Sequence, residues 1–546
     1  MVGSPARSVK AATTTSTPVE EEAAAGDGGG TKLSAWTSVR QERWEGELAV
    51  EGDLPLWLNG TYLRNGPGLW DAGDVAFHHL FDGYATLVRV SFSHGHATGA
   101  HRPRAAAHLC DGYATLVRVS FSHGHATGAH RQIESDAYMA AKKHGRPVLR
   151  EFSQCPEPGN LLDRVRDAVG LLSGAALTDN PNSTVLPLGD GRVMCLTETT
   201  KSSILIDPHT LDTVGKFEFT GKVGAMIQSA HPIVTEFEFL TLLPDLVRPG
   251  HLLVRMEAGS NERKVVGRVD CRGGPTPGWM HSFAVTEKYV VVPEMQLRYS
   301  STSLLKSELA QFYAFHWLPA SGSYMHVMCR STGKTVASVE VPPFMAIHFI
   351  NAYEEVGEEG QAAEVIVDCC EHYGDPAIIE TLVLQGLRSF RGTDTLPDAR
   401  VGRFRIPLDG SPSGELQTAL DPEEHGRGID MCNINRARLG KKYRYAYACG
   451  ARRPCNFPNT LTKIDLVLRK AMSWHEEGAL PSEPFFVARP GATDEDDGVV
   501  MSIVSAKDGG GFMVVLDAAT FKEIARVRFP YGLPYGFHGC WIPAKN

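Results

Sequence analysis

Four histidines sit at wide spacing in similar surroundings. His231 lies in Ser229-Ala230-His231-Pro232 and His281 in Trp279-Met280-His281-Ser282-Phe283. His348 lies in Ala346-Ile347-His348-Phe349 and His538 in Tyr535-Gly536-Phe537-His538-Gly539-Cys540. Each is flanked by apolar or small residues near an expected strand boundary. A buried imidazole needs hydrogen-bond partners or a metal. By default these are four separate core or loop histidines; brought together, they could share a metal. Other histidines carry weaker signals. His94-Gly95-His96 with His101, and His123-Gly124-His125 with His130, have metal-like spacing but read as solvated Gly-His turns. His78 and His79 are adjacent and would face opposite sides of a strand. The run Asp494-Glu495-Asp496-Asp497 lacks the alternating spacing and terminal Glu of a calcium loop and reads as a solvated turn. The chain has no P-loop, no G-x-S-x-G, no H-E-x-x-H and no C-x-x-C.

The elements that must position these residues read as strands. From about residue 58 onward, short β-rich runs alternate with Gly/Asp/Pro turns, as at 183–188, 192–197, 203–206 and 213–219. Some 480 residues of such meander predict an all-β fold, a β-propeller rather than an array of sandwiches. A propeller gathers the inner strands of distant blades on one axis. The histidine separations of 50, 67 and 190 residues are then no obstacle. Helical periodicity is rare. Leu162, Val165, Val169 and Leu172 predict one helix over 161–175, packed on the core or lying on a membrane surface.

Residues 79–102 recur as 108–131 with one difference, Phe81 against Cys110. A closed sheet has one slot for the strand near 85–92, so the surplus copy within 82–131 is expected to loop out and lower stability. The 546 residues include 54 Lys+Arg and 63 Asp+Glu, a net charge of −9. No basic field exists for nucleic acid. The 11 cysteines are an odd number without metal-binding spacing and read as free thiols. No apolar run is long enough to span a membrane. Residues 1–19 contain seven Ser/Thr, Arg7, Lys10 and no acid, which fits an organelle transit peptide or a disordered lead over 1–35. One domain is expected over 36–546.

From about Trp36 onward the chain resembles the carotenoid cleavage dioxygenases. The four histidine contexts look like that family's iron-binding segments, in order. Asn59-Gly60-Thr61-Tyr62-Leu63-Arg64-Asn65-Gly66-Pro67-Gly68 resembles its N-terminal signature. Segments 424–434, 452–459, 482–487 and 528–543 resemble its plant branch that forms carlactone, the strigolactone precursor. The resemblance implies a seven-bladed propeller, with helices and loops capping the iron face. It implies Fe(II) held by His231, His281, His348 and His538, with O2 as co-substrate. Neutral imidazoles suit iron and leave positions open. The resemblance also implies carboxylates that orient the rings: Glu198, Glu483 and, where the family has Glu, Asp430. The shorter Asp requires a closer backbone, a bridging water or a looser histidine. Phe283, Phe349 and Phe537 are candidate walls of an apolar substrate tunnel, and about half should be core only. The implied substrate is a 9-cis apocarotenal, the location a plastid, with peripheral membrane contact through 161–175. Cleavage of a carotenoid or epoxycarotenoid at another bond is an alternative. So is a carotenoid-binding propeller impaired by the duplication. Neither the bond nor the oligomeric state is fixed by these residues.

Overall fold

The computed structural model describes residues 34–92, 120–122, 125–154, 177–199, 203–300, 315–357 and 362–544. The helix expected over 161–175, the lead up to residue 33 and most of the duplicated segment lie outside the described residues.

The described chain is mostly antiparallel strand, arranged as a β-propeller. Five four-stranded sheets stand separately and follow one another in sequence. Their first strands are Thr184–Pro187, Ile233–Val234, Ala284–Val285, Ala346–Val356 and Ile429–Ile434. The remaining large strands form one 11-stranded sheet rather than two further separate blades. The cause is the 10-residue strand Arg43–Gly52. Its first part, Arg43 to Leu48, pairs with Arg131 to Ala126, and its end, Ala49 to Gly52, pairs with Arg528 to Ala525. One strand thereby serves two neighbours and joins the start of the fold to its end.

Alternating apolar residues face the core between sheets. Val290 and Val292 pack with Leu240 and Leu242, and Val339 with Val365 and Phe404. Short helices fill the connections. The helix Asp136–His144 begins at the Ser135 cap and ends at Gly145, whose φ of 65° suits a residue without Cβ. Asp179 accepts from the amides of Asp136 and Ala137 at its positive end. No described helix is long and apolar enough to cross a membrane.

The duplication is divided between its copies. The strand Tyr84–Phe92, from the first copy, pairs with Gly60–Leu69 on one side and with His125–Gln132 on the other. The latter comes from the second copy. Thr127 pairs with Ser91 and also with Ser120, and Ser120 is the second-copy equivalent of Ser91. The sheet thus takes Tyr84–Phe92 from the first copy and both Ser120–Ser122 and His125–Gln132 from the second.

Other early signals resolve as structure. His79 is buried, caps a short helix and contacts the Ile379 carbonyl at 2.8 Å. His130 contacts the Tyr531 hydroxyl. In the acidic run, Glu495 accepts from the amides of Arg444 and Tyr445, Asp496 pairs with Lys463 and Asp497 with Arg489. Those carboxylates are ion-paired, not merely solvated. Nine described cysteines are free thiols.

Candidate metal centre

His231, His281, His348 and His538 converge. One nitrogen from each lies within 4.8 Å of all the others. The facing atoms are Nε2: His231 to His281 at 3.1 Å, and His348 to His538 at 3.1 Å. Each histidine stands at or beside the first strand of its sheet or, for His538, beside the strand Gly539–Pro543. Inner-strand placement is what brings residues 307 positions apart to one point.

Three rings are fixed from behind. Nδ1 of His281 donates to Glu198 at 2.7 Å, Nδ1 of His348 to Asp430 at 2.6 Å and Nδ1 of His538 to Glu483 at 3.1 Å. Protons on Nδ1 leave the Nε2 lone pairs free. Burial pulls His348 down to about 4 and His538 to about 3, and holds His231 well below its usual range. All three are therefore neutral near pH 7. His231 has no carboxylate partner among the described residues. It is held through its backbone amide, which donates to the Ser229 hydroxyl at 3.2 Å.

Asp430 reaches its histidine directly, through a closer backbone. The pairing of Ile429–Ile434 with its neighbour slips between Asp430 and Asn433, and Met431 adopts φ 55°. This bulge re-aims the short side chain. Asp430 also accepts from the Met431 amide at 2.8 Å and from Nε2 of His372 at 3.2 Å. Burial alone would raise this carboxyl, but His348 and His372 hold it far below the usual range. Glu483 accepts from the Gly539 amide at 2.9 Å, and burial pushes it up to about 8.

The N-terminal signature clamps the His538 loop. The Asn65 amide donates to the His538 carbonyl at 2.9 Å, and the Phe537 amide to the Asn65 carbonyl at 2.7 Å. The buried Arg64 reaches Ser482 and the Pro534 carbonyl. The backbones touch here. A Cβ on Gly66 would lie 2.6 Å from Cα of Gly536, and one on Gly536 would lie 2.2 Å from Nε of Arg64.

Two cavities flank the four rings. One, of about 100 Å³, is apolar, with Phe81, Trp279, Ile347, Phe457, Tyr535 and Phe537 in its wall. It shares Phe81, Phe152, Asn182, Thr197 and Glu198 with a further cavity of about 180 Å³. Together they make an elongated, largely apolar passage past the histidines. Phe81 anchors it with ring contacts to Phe152 at 5.1 Å and Phe537 at 5.5 Å. The second cavity, of about 190 Å³, lies among the inner strands and is lined by Thr184, Ser282, Asn351, Asn433 and Arg436, among others.

Phe537 is in the apolar wall. Phe283 and Phe349 are not: both line the polar cavity instead. Sequence reasoning missed Phe81, Trp279, Tyr535 and His372. Trp279 and Tyr535 stand two and three residues before a ligand, a signal available in the same segments already singled out. Phe81 and His372 had none.

The chain is similar to known proteins in sequence and in fold. A family model described as retinal pigment epithelial membrane protein matches residues 36–104 and 100–543. The chain is 76% identical over 520 residues to carotenoid cleavage dioxygenase 8 homolog A, chloroplastic, of Oryza sativa subsp. japonica, covering 94% of this chain and 88% of that protein. It is 58% identical over 516 residues to carotenoid cleavage dioxygenase 8, chloroplastic, of Arabidopsis thaliana, covering 93% and 85%. Its fold is similar to that of cobalt-substituted Synechocystis ACO, with a TM-score of 0.75 at 21% identity over 94% of this chain and 98% of that one.

Proposed function

Because the chain belongs to the carotenoid cleavage dioxygenase family and is an oxygen-incorporating oxidoreductase, we propose that it forms carlactone from a 9-cis apocarotenal with one Fe(II) and O2. The ion's ligands are His231, His281, His348 and His538. The observation that carries this reading is the convergence of four Nε2 atoms beside an apolar passage. Imidazole nitrogens that face one another with their lone pairs repel unless a cation lies between them. Nε2 of His231 lies 3.1 Å from that of His281, and Nε2 of His348 lies 3.1 Å from that of His538, so all four would hold one shared cation.

Bound Fe(II) would supply the activation of O2 for cleavage of one polyene double bond; reaching carlactone also requires rearrangement of the apocarotenal and incorporation of further oxygen. The protein's share is positional. Glu198, Asp430 and Glu483 hold the Nδ1 protons and fix three ring planes. Phe81, Trp279, Ile347 and Phe537 keep water out and hold one stretch of polyene beside the histidines. No serine or cysteine nucleophile is required.

The chloroplastic names of the relatives and the acid-free lead over 1–19 support a plastid address. An insoluble substrate favours uptake from a membrane surface, and residues 161–175 are the segment we assign to that contact. Product mass decides the substrate. A 9-cis apocarotenal should give carlactone, and intact carotenoids should be left unchanged. Cleavage of an intact carotenoid or epoxycarotenoid, with the apocarotenal untouched, would favour another bond specificity.

A further inference from the structure

The four histidines separate two cavities of different character. The apolar passage has Leu80, Phe81, Phe152, Ile347, Leu382 and Phe537 in its wall. It suits a polyene and is a poor path for a hydrated dication, which would shed its water against hydrocarbon. The cavity among the inner strands is mixed, with Val185, Phe283 and Phe349 beside Thr184, Ser282, Asn351, Asn433 and Glu483, and is the more polar of the two. His348 and His538 border both cavities, His281 only the apolar one and His231 only the polar one.

His231 is also the ligand that can turn most easily. His281, His348 and His538 are each tied through Nδ1 to a carboxylate, and His231 is not. It is the least buried of the four. Rotating it breaks no ion pair and opens the site towards the polar side.

Arg436 lines the same cavity and is exposed, so it marks the cavity's solvent end. None of the described hydrogen bonds or ion pairs engages its guanidinium. A fixed cation at the solvent end of a polar path raises the barrier for any dication that uses it.

We infer that the polar cavity is the path by which the metal ion reaches and leaves the four-histidine site, separately from the substrate passage, with His231 as the ligand that opens and Arg436 as an electrostatic brake. This rests on the reading of the four histidines as a metal site. The two can be tested apart, because one predicts occupancy and the other a rate.

The probe is Co(II), added to the full chain after removal of metal and followed by visible absorption. Final occupancy of one ion per chain in wild type, Arg436→Gln and Arg436→Glu is expected from the metal site itself. The route predicts the rates. At low ionic strength Arg436→Glu should load on the order of tenfold faster than wild type, with Arg436→Gln between them. Added salt should speed wild type and slow Arg436→Glu. Saturating the apolar passage with farnesol should leave all three rates unchanged. Equal rates with one salt dependence, or loading blocked by farnesol, would overturn the route while leaving the metal site standing. No uptake by any of the three would remove both.

Discussion

Nδ1 of His348 donates to Oδ1 of Asp430 at 2.6 Å, even though Asp430 is one methylene shorter than the glutamates behind His281 and His538. The backbone makes up the difference, through the bulge that carries Met431 into the left-handed region. The second carboxylate oxygen is taken by His372. Asp430 is therefore anchored from two sides, and His348 is not loosely held.

This anchoring predicts a graded loss of metal. Asp430→Asn should weaken metal binding about 10- to 100-fold by removing the charge that fixes the His348 tautomer. His372→Ala, which leaves that contact in place, should cost less. Equilibrium Co(II) titration of the two variants checks the order.

Phe81 should set how well a polyene is held. Its ring bridges Phe152 and Phe537 in the apolar wall. Phe81→Ala removes those contacts, and the ring contact to His79, without touching any of the four converging histidines or the carboxylates behind them. KM should rise several-fold while metal content stays at one per chain, a combination that steady-state kinetics and metal analysis would show.

A buried charge network away from the site should govern acid stability. Glu294 accepts from Arg298 at 2.7 Å, from His326 at 2.9 Å and from the amides of Arg272 and Gly273 at 2.9 Å each. Burial opposes ionisation, but these donors outweigh it and hold the carboxyl at about 2, below its usual 4.5. A depressed folded-state value stabilises the fold above the unfolded value. That contribution is full above about pH 4.5 and is lost as pH falls towards 2. Glu294→Gln should be less stable by about 3 kcal/mol at pH 7. The gap should close in strong acid, as denaturant titrations at several pH values would show.

The duplication gives a clean comparison. Deleting residues 93–121 and deleting residues 103–131 yield the same sequence, because the copies are identical over 82–102 and 111–131. Either deletion joins the two strands that already pair at Ser91 and Thr127 by a short hairpin. Closing a loop some 30 residues longer costs roughly 2–3 kcal/mol of chain entropy. The shortened protein should melt higher and keep its activity. An unchanged melting temperature would show that the extra copy is tolerated without cost.

The sequence made much of the site legible, and the limits are physical. Four histidines in apolar strand-end segments were visible because burial of an imidazole demands a purpose. Glu198, Asp430 and Glu483 were recognisable only through resemblance, since spacing does not say which carboxylate stands behind which ring. The Asp430 bulge and His372 were invisible, because register slips and contacts between neighbouring sheets leave no local pattern. Phe283 and Phe349 were misplaced because closeness in sequence to a ligand does not say which of two cavities a side chain faces. The strand pattern announced a propeller. It did not show that Arg43–Gly52 would join two sets of strands into one sheet, since pairing at both ends of a strand has no sequence signature.

The central claim is tested most directly by metal content and oxygen incorporation measured together. Protein reconstituted with Fe(II) under anaerobic conditions, then supplied with a 9-cis apocarotenal and 18O2, should hold one iron per chain and give labelled carlactone. His281→Ala should lose both the iron and the label. Labelled product from His281→Ala, or wild-type protein that binds no iron, would contradict the account.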